Sequence, residues 1–525
     1  MPHKSRQTDI FVQNKHSNMS RRVRVRFAPS PTGPLHMGGV RTALYNYLYA
    51  KKHNGDFILR IEDTDEKRFV PGAQEYIIES LKWCGIEPNE GAGYSGDKGP
   101  YVQSERKNLY QPYADQLVES GHAYIAFDTA EDLERMRQQA KDMGLPNWQY
   151  NSVTRSSMKN SISLSKEEVE KRLAAGEVYT VRMKMPRNVD VKFEDEIRGW
   201  VTVNTNNLDD KVLFKPTGMP TYHLANIVDD YLMDISHVIR GEEWLPSAPL
   251  HVLLYDAFGW ERPKFAHLPL ILRPDGNGKL SKRDGDRLGF PVFPINWTTA
   301  DGELYSGYKE AGYFPEAFVN MLSLLGWNPG NNEELFGLQE MIDKFSLERV
   351  GKSGARFDPD KTKWFNQQYL RSTDNDTLAQ LILDQNLVDS EKSYLAAVCR
   401  LMKERATFIQ DIVDDGDYFF QEITSYDEKT VRKKWKDDTP QIMEELLEEL
   451  SNIEDWNTAH IENVFSAYLT KKEYGFGKVG PGFRLLVTGK GMGPSMFDIC
   501  ATLGKAKVLS RMTDGIARVN SLKEA

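Results

Sequence analysis

The sequence predicts an α/β fold in which a parallel sheet flanked by helices fills the first part of the chain and an all-helical region runs from residue 376 to the end. Three observations point there. Strand, helix and strand follow one another directly between Arg22 and Leu59, and that succession implies parallel strands. Beyond residue 376, stretches such as Ala396–Ile409 and Pro440–Leu450 read as amphipathic helices with little β-branched alternation. The 525 residues exceed what a single hydrophobic core serves, so several domains are expected.

The first strand is set by Val23, Val25 and Phe27 alternating with Arg22, Arg24 and Arg26, a period of two. Pro29, Pro31, Gly33 and Pro34 then open a loop. Val40, Leu44, Tyr47 and Leu48 follow at helical spacing, Asn54-Gly55 supplies a stop, and Phe57-Ile58-Leu59 forms a second short strand. In such a fold a ligand sits at the carboxyl ends of the strands, where a helix N-terminus meets phosphate. That place holds Pro29-Ser30-Pro31-Thr32-Gly33-Pro34-Leu35-His36-Met37-Gly38-Gly39. Gly38 and Gly39 let the backbone approach a nucleotide closely, and His36 brings an imidazole to the same spot.

Composition bounds the reading. Hydrophobic residues make up 40% and charged residues 27%, ordinary for a soluble globular protein. No run approaches the roughly 20 apolar residues that a membrane span needs. The net charge of −9 gives no general nucleic-acid signal, although phosphate binding depends on local patches. Cys84, Cys399 and Cys500 are far apart and match no metal-ligand spacing, so packing thiols in a reducing compartment are expected. Residues 1–20 carry Lys4, Arg6 and Lys15 but no apolar signal region, and Ile10–Val12 is too short for an amphipathic transit face. They are expected to be a disordered extension or tag, with Met19 as an alternative start. The expected location is the cytoplasm, with the mitochondrial matrix as the alternative.

The stretch around His36 and Gly38 resembles the HIGH signature of class I aminoacyl-tRNA synthetases, in the form found in glutamyl-tRNA synthetases of bacterial and organellar type. The likeness continues through Arg60-Ile61-Glu62-Asp63-Thr64-Asp65, Pro220-Thr221-Tyr222-His223-Leu224-Ala225-Asn226 and Val238-Ile239-Arg240-Gly241-Glu242-Glu243-Trp244. The second class I signature, KMSKS, stands as Lys279-Leu280-Ser281-Lys282-Arg283. The resemblance implies a Rossmann-type catalytic domain with an α/β acceptor-end insertion, followed by all-α anticodon-binding domains. Its boundaries are expected at 21–100 and 211–275 for the catalytic halves, 101–210 for the insertion, 276–375 for the signature loop and stem-contact domain, and 376–525 for the anticodon region.

The implied reaction joins glutamate to ATP, as its Mg2+ complex, and then to tRNA(Glu). Neither step needs a protein nucleophile, so positioning and charge stabilisation suffice. By resemblance His36, Gly38, Lys279 and Lys282 are catalytic, and Thr32, His36, Gly38, Glu243, Trp244 and Lys282 bind ATP. Arg26, Ser30, Glu62, Tyr222, Asn226 and Arg240 take glutamate. Glu62 is the residue type for the ammonium, and Arg240 reads the side-chain carboxylate. Glycines 276, 278 and 285 around the lysines suit a lid over ATP.

In the insertion, Thr129–Asp142 and Lys166–Ala175 read as helices and Val178–Met185 as strand. Some family members hold zinc there, but Tyr124-Ile125-Ala126-Phe127-Asp128 offers no cysteine, so no structural zinc is expected. Asp284–Gly312, rich in Pro, Gly and aromatics, is expected to be a surface elaboration, and Ala317–Leu325 a helix. Lys429, Arg432, Lys433, Lys434 and Lys436 surround Trp435 and are candidates for phosphate contact and base stacking. Lys478 and Arg484 match the family's tRNA-contacting segment, and Arg405 aligns with a position where arginine accompanies restriction to tRNA(Glu). A monomer is expected. The alternatives are a non-discriminating form that also charges tRNA(Gln), and a catalytically silent tRNA-binding paralogue; the intact signatures weigh against the latter.

Overall fold

The computed structural model describes residues 21–145 and 147–524; the extension expected over 1–20 lies outside the described residues. The chain forms two compact units. One comprises the described residues through Trp297 together with Leu322–Phe357, and the other Thr298–Met321 and the described residues from Asp358 on.

The first unit begins with β1 (Arg24–Phe27), α1 (Met37–Lys52) and β2 (Asp56–Leu59). β1 and β2 pair in parallel from Arg24↔Asp56 to Phe27↔Leu59. A tight reversal joins α1 to β2, with Asn54 at φ 50°, a conformation Asn tolerates. After α2 (Ala73–Trp83), β3 (Glu90–Gly91) extends the sheet as β1-β2-β3.

Next come α3 (Lys107–Glu119), β4 (Ala123–Ala126), α4 (Ala130–Asp142), α5 (Lys166–Ala174) and β5 (Thr180–Met183). Thr129 and Asp132 close a capping box at the start of α4, which fixes that helix end. β6 (Asp190–Asp195), β7 (Gly199–Asn204) and β8 (Val212–Phe214) follow, then α6 (Tyr222–Leu232), β9 (His237–Gly241), α7 (Ala248–Phe258) and β10 (Lys264–Leu268). β4, β5 and β8 form a small antiparallel sheet. A second sheet has the order β7-β6-β10-β9, so two strands from the 101–210 segment join the sheet of the second half.

The β1-β2-β3 sheet and the β7-β6-β10-β9 sheet meet at β1 and β9. The Ser236 amide, just before β9, donates to the Arg24 carbonyl at 2.9 Å, and the Ser236 hydroxyl accepts from the Arg24 amide at 2.8 Å. Strand succession reverses there, which in open α/β sheets is where a ligand crevice opens beyond the carboxyl ends.

The alternating arginines of β1 do not face water. Arg24 pairs with Asp56 at 2.9 Å and Glu90 at 3.1 Å. Arg26, at 3% exposure, pairs with Asp230 at 3.0 Å, and Asp230 also accepts from Arg60 at 2.8 Å. The strand's polar face is thus an internal ionic network whose acids come from distant segments.

The segment Asp284–Gly312 is only in part the surface elaboration expected of it: residues 286–289 and 301–304 are exposed, but its middle is not. After α8 (Lys282–Leu288), the chain turns inward and buries Val292, Phe293 and Ile295. The Val292 carbonyl accepts from the Met37 amide at 2.8 Å, Tyr76 donates to the Ile295 carbonyl at 2.5 Å, and Phe293 meets the His36 ring edge-on at 6.1 Å. The consecutive buried run at 292–295 is thus a floor beneath the start of α1.

The second unit is helical, with a core running from Leu370 to Val519 that includes Leu395, Met443, Phe465 and Phe483. The stretch Ala396–Ile409 is not one helix. Lys392–Met402 ends, and a new helix, Ile409–Asp414, starts where Asp411 accepts from the Thr407 and Phe408 amides, each at 2.8 Å. Trp435 is 1% exposed in this core. It shares a helix face with Val431, one turn earlier, while Lys429, Arg432, Lys433, Lys434 and Lys436 stay exposed. Its indole is therefore a core residue and cannot be a platform for bases.

Candidate active site

A cleft of about 530 Å³ opens where β1 and β9 meet. It is lined by Arg26, Ser30, Thr32, His36, Gly38, Glu62, Tyr222, Asn226, Arg240, Glu243, Trp244 and Lys279. The structure thus gathers nearly all the catalytic, glutamate and ATP candidates into one space. Lys282 is the exception. It heads α8, and the cleft lining from that loop is Lys279 and Leu280.

His36 caps α1. Its Nδ1 accepts from the Gly38 amide at 3.2 Å, so the ring proton sits on Nε2 and Nε2 is a donor. Burial, and then the nearby Lys279 ammonium, push the His36 pKa down to about 4. The imidazole is neutral near pH 7, with its Nε2–H buried in the cleft wall and without a partner among the described residues, at a helix start that carries partial positive charge.

On the rim, Lys279 donates to Glu243 at 2.7 Å. Burial alone would raise the Glu243 carboxyl, but this bond and a backbone amide hold it below its usual range. Gly241 makes room for that carboxylate: a Cβ there would lie 2.1 Å from the Glu243 Oε2.

Deeper in, Glu62 Oε1 accepts from Arg60 at 2.8 Å and from Asn226 at 3.0 Å, which leaves Oε2 for a ligand. Arg26 is engaged by Asp230 through Nε and Nη2. Arg240 is different. It is 5% exposed, and its Nη1 donates to the Tyr222 hydroxyl at 2.9 Å and lies 3.3 Å from His251 Nδ1. Its Nη2 reaches the Trp244 carbonyl at 3.4 Å. Among the described residues no carboxylate pairs with it. Burial keeps Tyr222 protonated by raising its pKa, and burial with the Arg240 charge holds His251 well below the ordinary imidazole value. A buried guanidinium among neutral partners calls for an anionic ligand. The Trp244 ring stacks obliquely on Tyr222, with centroids 4.5 Å apart.

Sequence reasoning missed Arg41, His251, His267 and Asp195. Arg41 lines the cleft and donates to the Leu325 carbonyl at 2.7 Å; it stands on α1 three residues past Gly38, a spacing that could have found it. The other three carry no motif of their own.

In the helical unit, Lys478 pairs with Asp438 at 2.8 Å and sits over the Tyr474 ring at 4.3 Å. Arg484 is partly buried and donates to the Pro494 carbonyl at 2.8 Å. Burial lowers its pKa, and the charge of exposed Arg405 lowers it further.

Comparison with known proteins shows the family. Residues 22–364 match the model for tRNA synthetases class I (E and Q), catalytic domain, and residues 370–516 match an anticodon binding domain. The chain is 56% identical to the glutamate–tRNA ligase of Flavobacterium psychrophilum over 502 residues, 95% of this chain and 100% of that one. It is 54% identical to that of Bacteroides thetaiotaomicron over 498 residues, 94% and 98% of the two chains. Among solved structures it resembles a glutamate tRNA ligase from Elizabethkingia meningosepticum in complex with its amino acid, with a TM-score of 0.92 and 50% identity over 95% of this chain and 100% of that one. The Elizabethkingia anophelis glutamate–tRNA synthetase gives 0.88 and 49%, over 94% and 100%. With the class I signatures gathered at the carboxyl ends of a parallel sheet and both models matched across the chain, the protein belongs to the class I tRNA synthetases of the E and Q group.

Proposed function

We infer that the protein is a glutamate–tRNA ligase that uses ATP, as its Mg2+ complex, to charge tRNA(Glu), acting as a monomer in the cytoplasm. The α-carboxylate oxygen of glutamate attacks the α-phosphorus of ATP, the α–β bridging bond breaks, and pyrophosphate leaves. A ribose hydroxyl of the terminal adenosine of tRNA then attacks the glutamyl carbonyl; its proton is lost, the aminoacyl ester forms and AMP departs.

The chain's own residues hold these groups. His36 Nε2–H and Lys279 meet phosphate oxygens, and Lys282 joins them as the signature loop moves over the nucleotide. Glu243, Trp244 and Thr32 hold the ATP end. Glu62 Oε2 takes the ammonium, with Asn226, Ser30 and Arg26 around the α-carboxylate. Arg405, Lys478 and Arg484 contact tRNA. The stretch Tyr124–Asp128 supplies no thiolate, so the insertion works without structural zinc.

The observation that carries this reading is Arg240, buried beside Tyr222 without a carboxylate of the described chain, facing the cleft that holds Glu62. A glutamate side chain completes that charge, whereas neutral glutamine leaves it uncompensated.

The test is aminoacylation with radiolabelled glutamate, Mg-ATP and purified tRNA(Glu) and tRNA(Gln) in separate reactions. Charging of tRNA(Glu) alone is expected, since Arg405 stands exposed at the position where arginine accompanies restriction to tRNA(Glu). Charging of both would make the enzyme non-discriminating. Charging of neither by folded protein would overturn the reading in favour of a silent tRNA-binding paralogue.

A further inference from the structure

Arg240 needs a counter-charge in its buried site, yet a carboxylate in direct contact would compete with the substrate's own. The structure answers this with a relay. Arg240 Nε donates to His267 Nε2 at 3.0 Å, and His267 Nδ1 lies 2.6 Å from Asp195 Oδ2. An arginine has no acceptor, so the Nε2 it addresses must be unprotonated, and the ring proton must sit on Nδ1, facing Asp195. The tautomer is dictated by the two neighbours together.

Asp195 is itself fixed at the end of β6. Its Oδ1 accepts the amides of Ile197 at 3.0 Å, Arg198 at 2.8 Å and His267 at 3.3 Å. Both His267 and Asp195 have wholly buried side chains, so neither can re-orient toward water. Burial, and after it the charges of Arg240 and Arg198, favour the neutral imidazole, against the pull of Asp195.

We propose that Asp195, acting through His267, is the positioning residue that sets Arg240 for the glutamate side-chain carboxylate and so helps to decide glutamate over glutamine. The compensating negative charge stands one imidazole away. The guanidinium is thus stabilised and aimed, while its Nη edge, held by Tyr222 Oη, His251 and the Trp244 carbonyl, lines the cleft without a carboxylate partner among the described residues. The proposal rests on the reading of Arg240 given above.

The experiment is steady-state charging of tRNA(Glu) by the full chain, with glutamate and ATP varied in turn. Asp195→Asn keeps the shape but removes the charge and one of the two constraints on the His267 tautomer. It is expected to raise the KM for glutamate roughly tenfold or more, with the KM for ATP within about twofold of wild type and kcat changed less than the glutamate KM. His267→Gln, whose amide can accept from Arg240 and donate to Asp195, should lose far less than His267→Phe, and thermal unfolding of each variant separates misfolding from mispositioning. Asp195→Asn is also expected to lower the ratio of glutamate to glutamine use. Equal rises in both KM values, or an equal loss for His267→Gln and His267→Phe, would overturn the relay. Arg240→Gln separates the two levels of the argument. If it selectively raises the glutamate KM while Asp195→Asn does not, the relay alone fails; if it does not, the reading of Arg240 fails with it.

Discussion

Lys279 of the signature loop and Glu243 of the Arg240–Trp244 segment are joined by a 2.7 Å ion pair on the rim of the cleft. Both side chains are about half exposed, 58% and 42%, so the pair adds little to stability, about 0–1 kcal/mol. Its consequence is positional. It ties the loop proposed to close over ATP to the segment that follows Arg240, and it presents the Lys279 ammonium near His36.

Glu243→Gln frees that end of the loop and removes a charge from the nucleotide side. The KM for ATP is expected to rise about three- to tenfold with the glutamate KM nearly unchanged. Varying each substrate separately checks this; a rise confined to glutamate would remove Glu243 from the ATP end.

His36 is neutral with its proton on Nε2, which suits the proposed role of hydrogen-bond donor to the transferring phosphate and not that of a base. His36→Ala is expected to lower kcat about 10²–10³-fold, the usual cost of one such donor, and to leave tRNA affinity within a factor of about two. Pre-steady-state charging and a filter-binding titration measure the two quantities. Unchanged turnover would remove His36 from the chemistry.

The same imidazole makes stability depend on pH. Its folded pKa of about 4 lies below the unfolded value, so between roughly pH 6.5 and 4 the unfolded chain binds the extra proton. Stability is therefore complete above pH 6.5 and is lost as pH falls toward 4. At pH 5 the loss from this one group is about 1–2 kcal/mol, the lower part of the range applying because the ring borders the open cleft. His36→Gln should reduce the drop in urea midpoint between pH 7 and 5, and an identical drop in the variant would show that the ring is not the group responsible.

What the sequence made legible were the features set by short-range pattern. β1, α1 and β2 follow directly from alternation, helical spacing and the Asn54-Gly55 stop, and the residues brought to the cleft by β1 and β9 lie inside recognisable motifs. What stayed hidden was set by tertiary pairing. The alternation of Arg22, Arg24 and Arg26 is the same whether arginines face water or Asp56, Glu90 and Asp230. The Trp435 indole, ringed in sequence by cations, is drawn into the core because Val431 shares its face. Asp195 and His267 lie on β6 and β10, outside every motif, and only strand pairing brings them together.

Phe293 tests the least legible part of the site. It belongs to a segment whose composition suggests a surface loop, yet it is 5% exposed and meets His36 edge-on at 6.1 Å. Beside it, the Val292 carbonyl holds the first amide of α1. Phe293→Ala is expected to cost about 3–5 kcal/mol of stability, as for other buried Phe truncations, and also to lower kcat. The reason is that the cavity opens on the side of His36 that fixes its ring, so Nε2–H loses its aim at phosphate. Phe293→Leu fills most of that space and should recover most of both losses. Stability lost without any fall in kcat, measured well below the unfolding temperature, would mean that this floor supports the fold alone and that His36 is held sufficiently by the Gly38 amide.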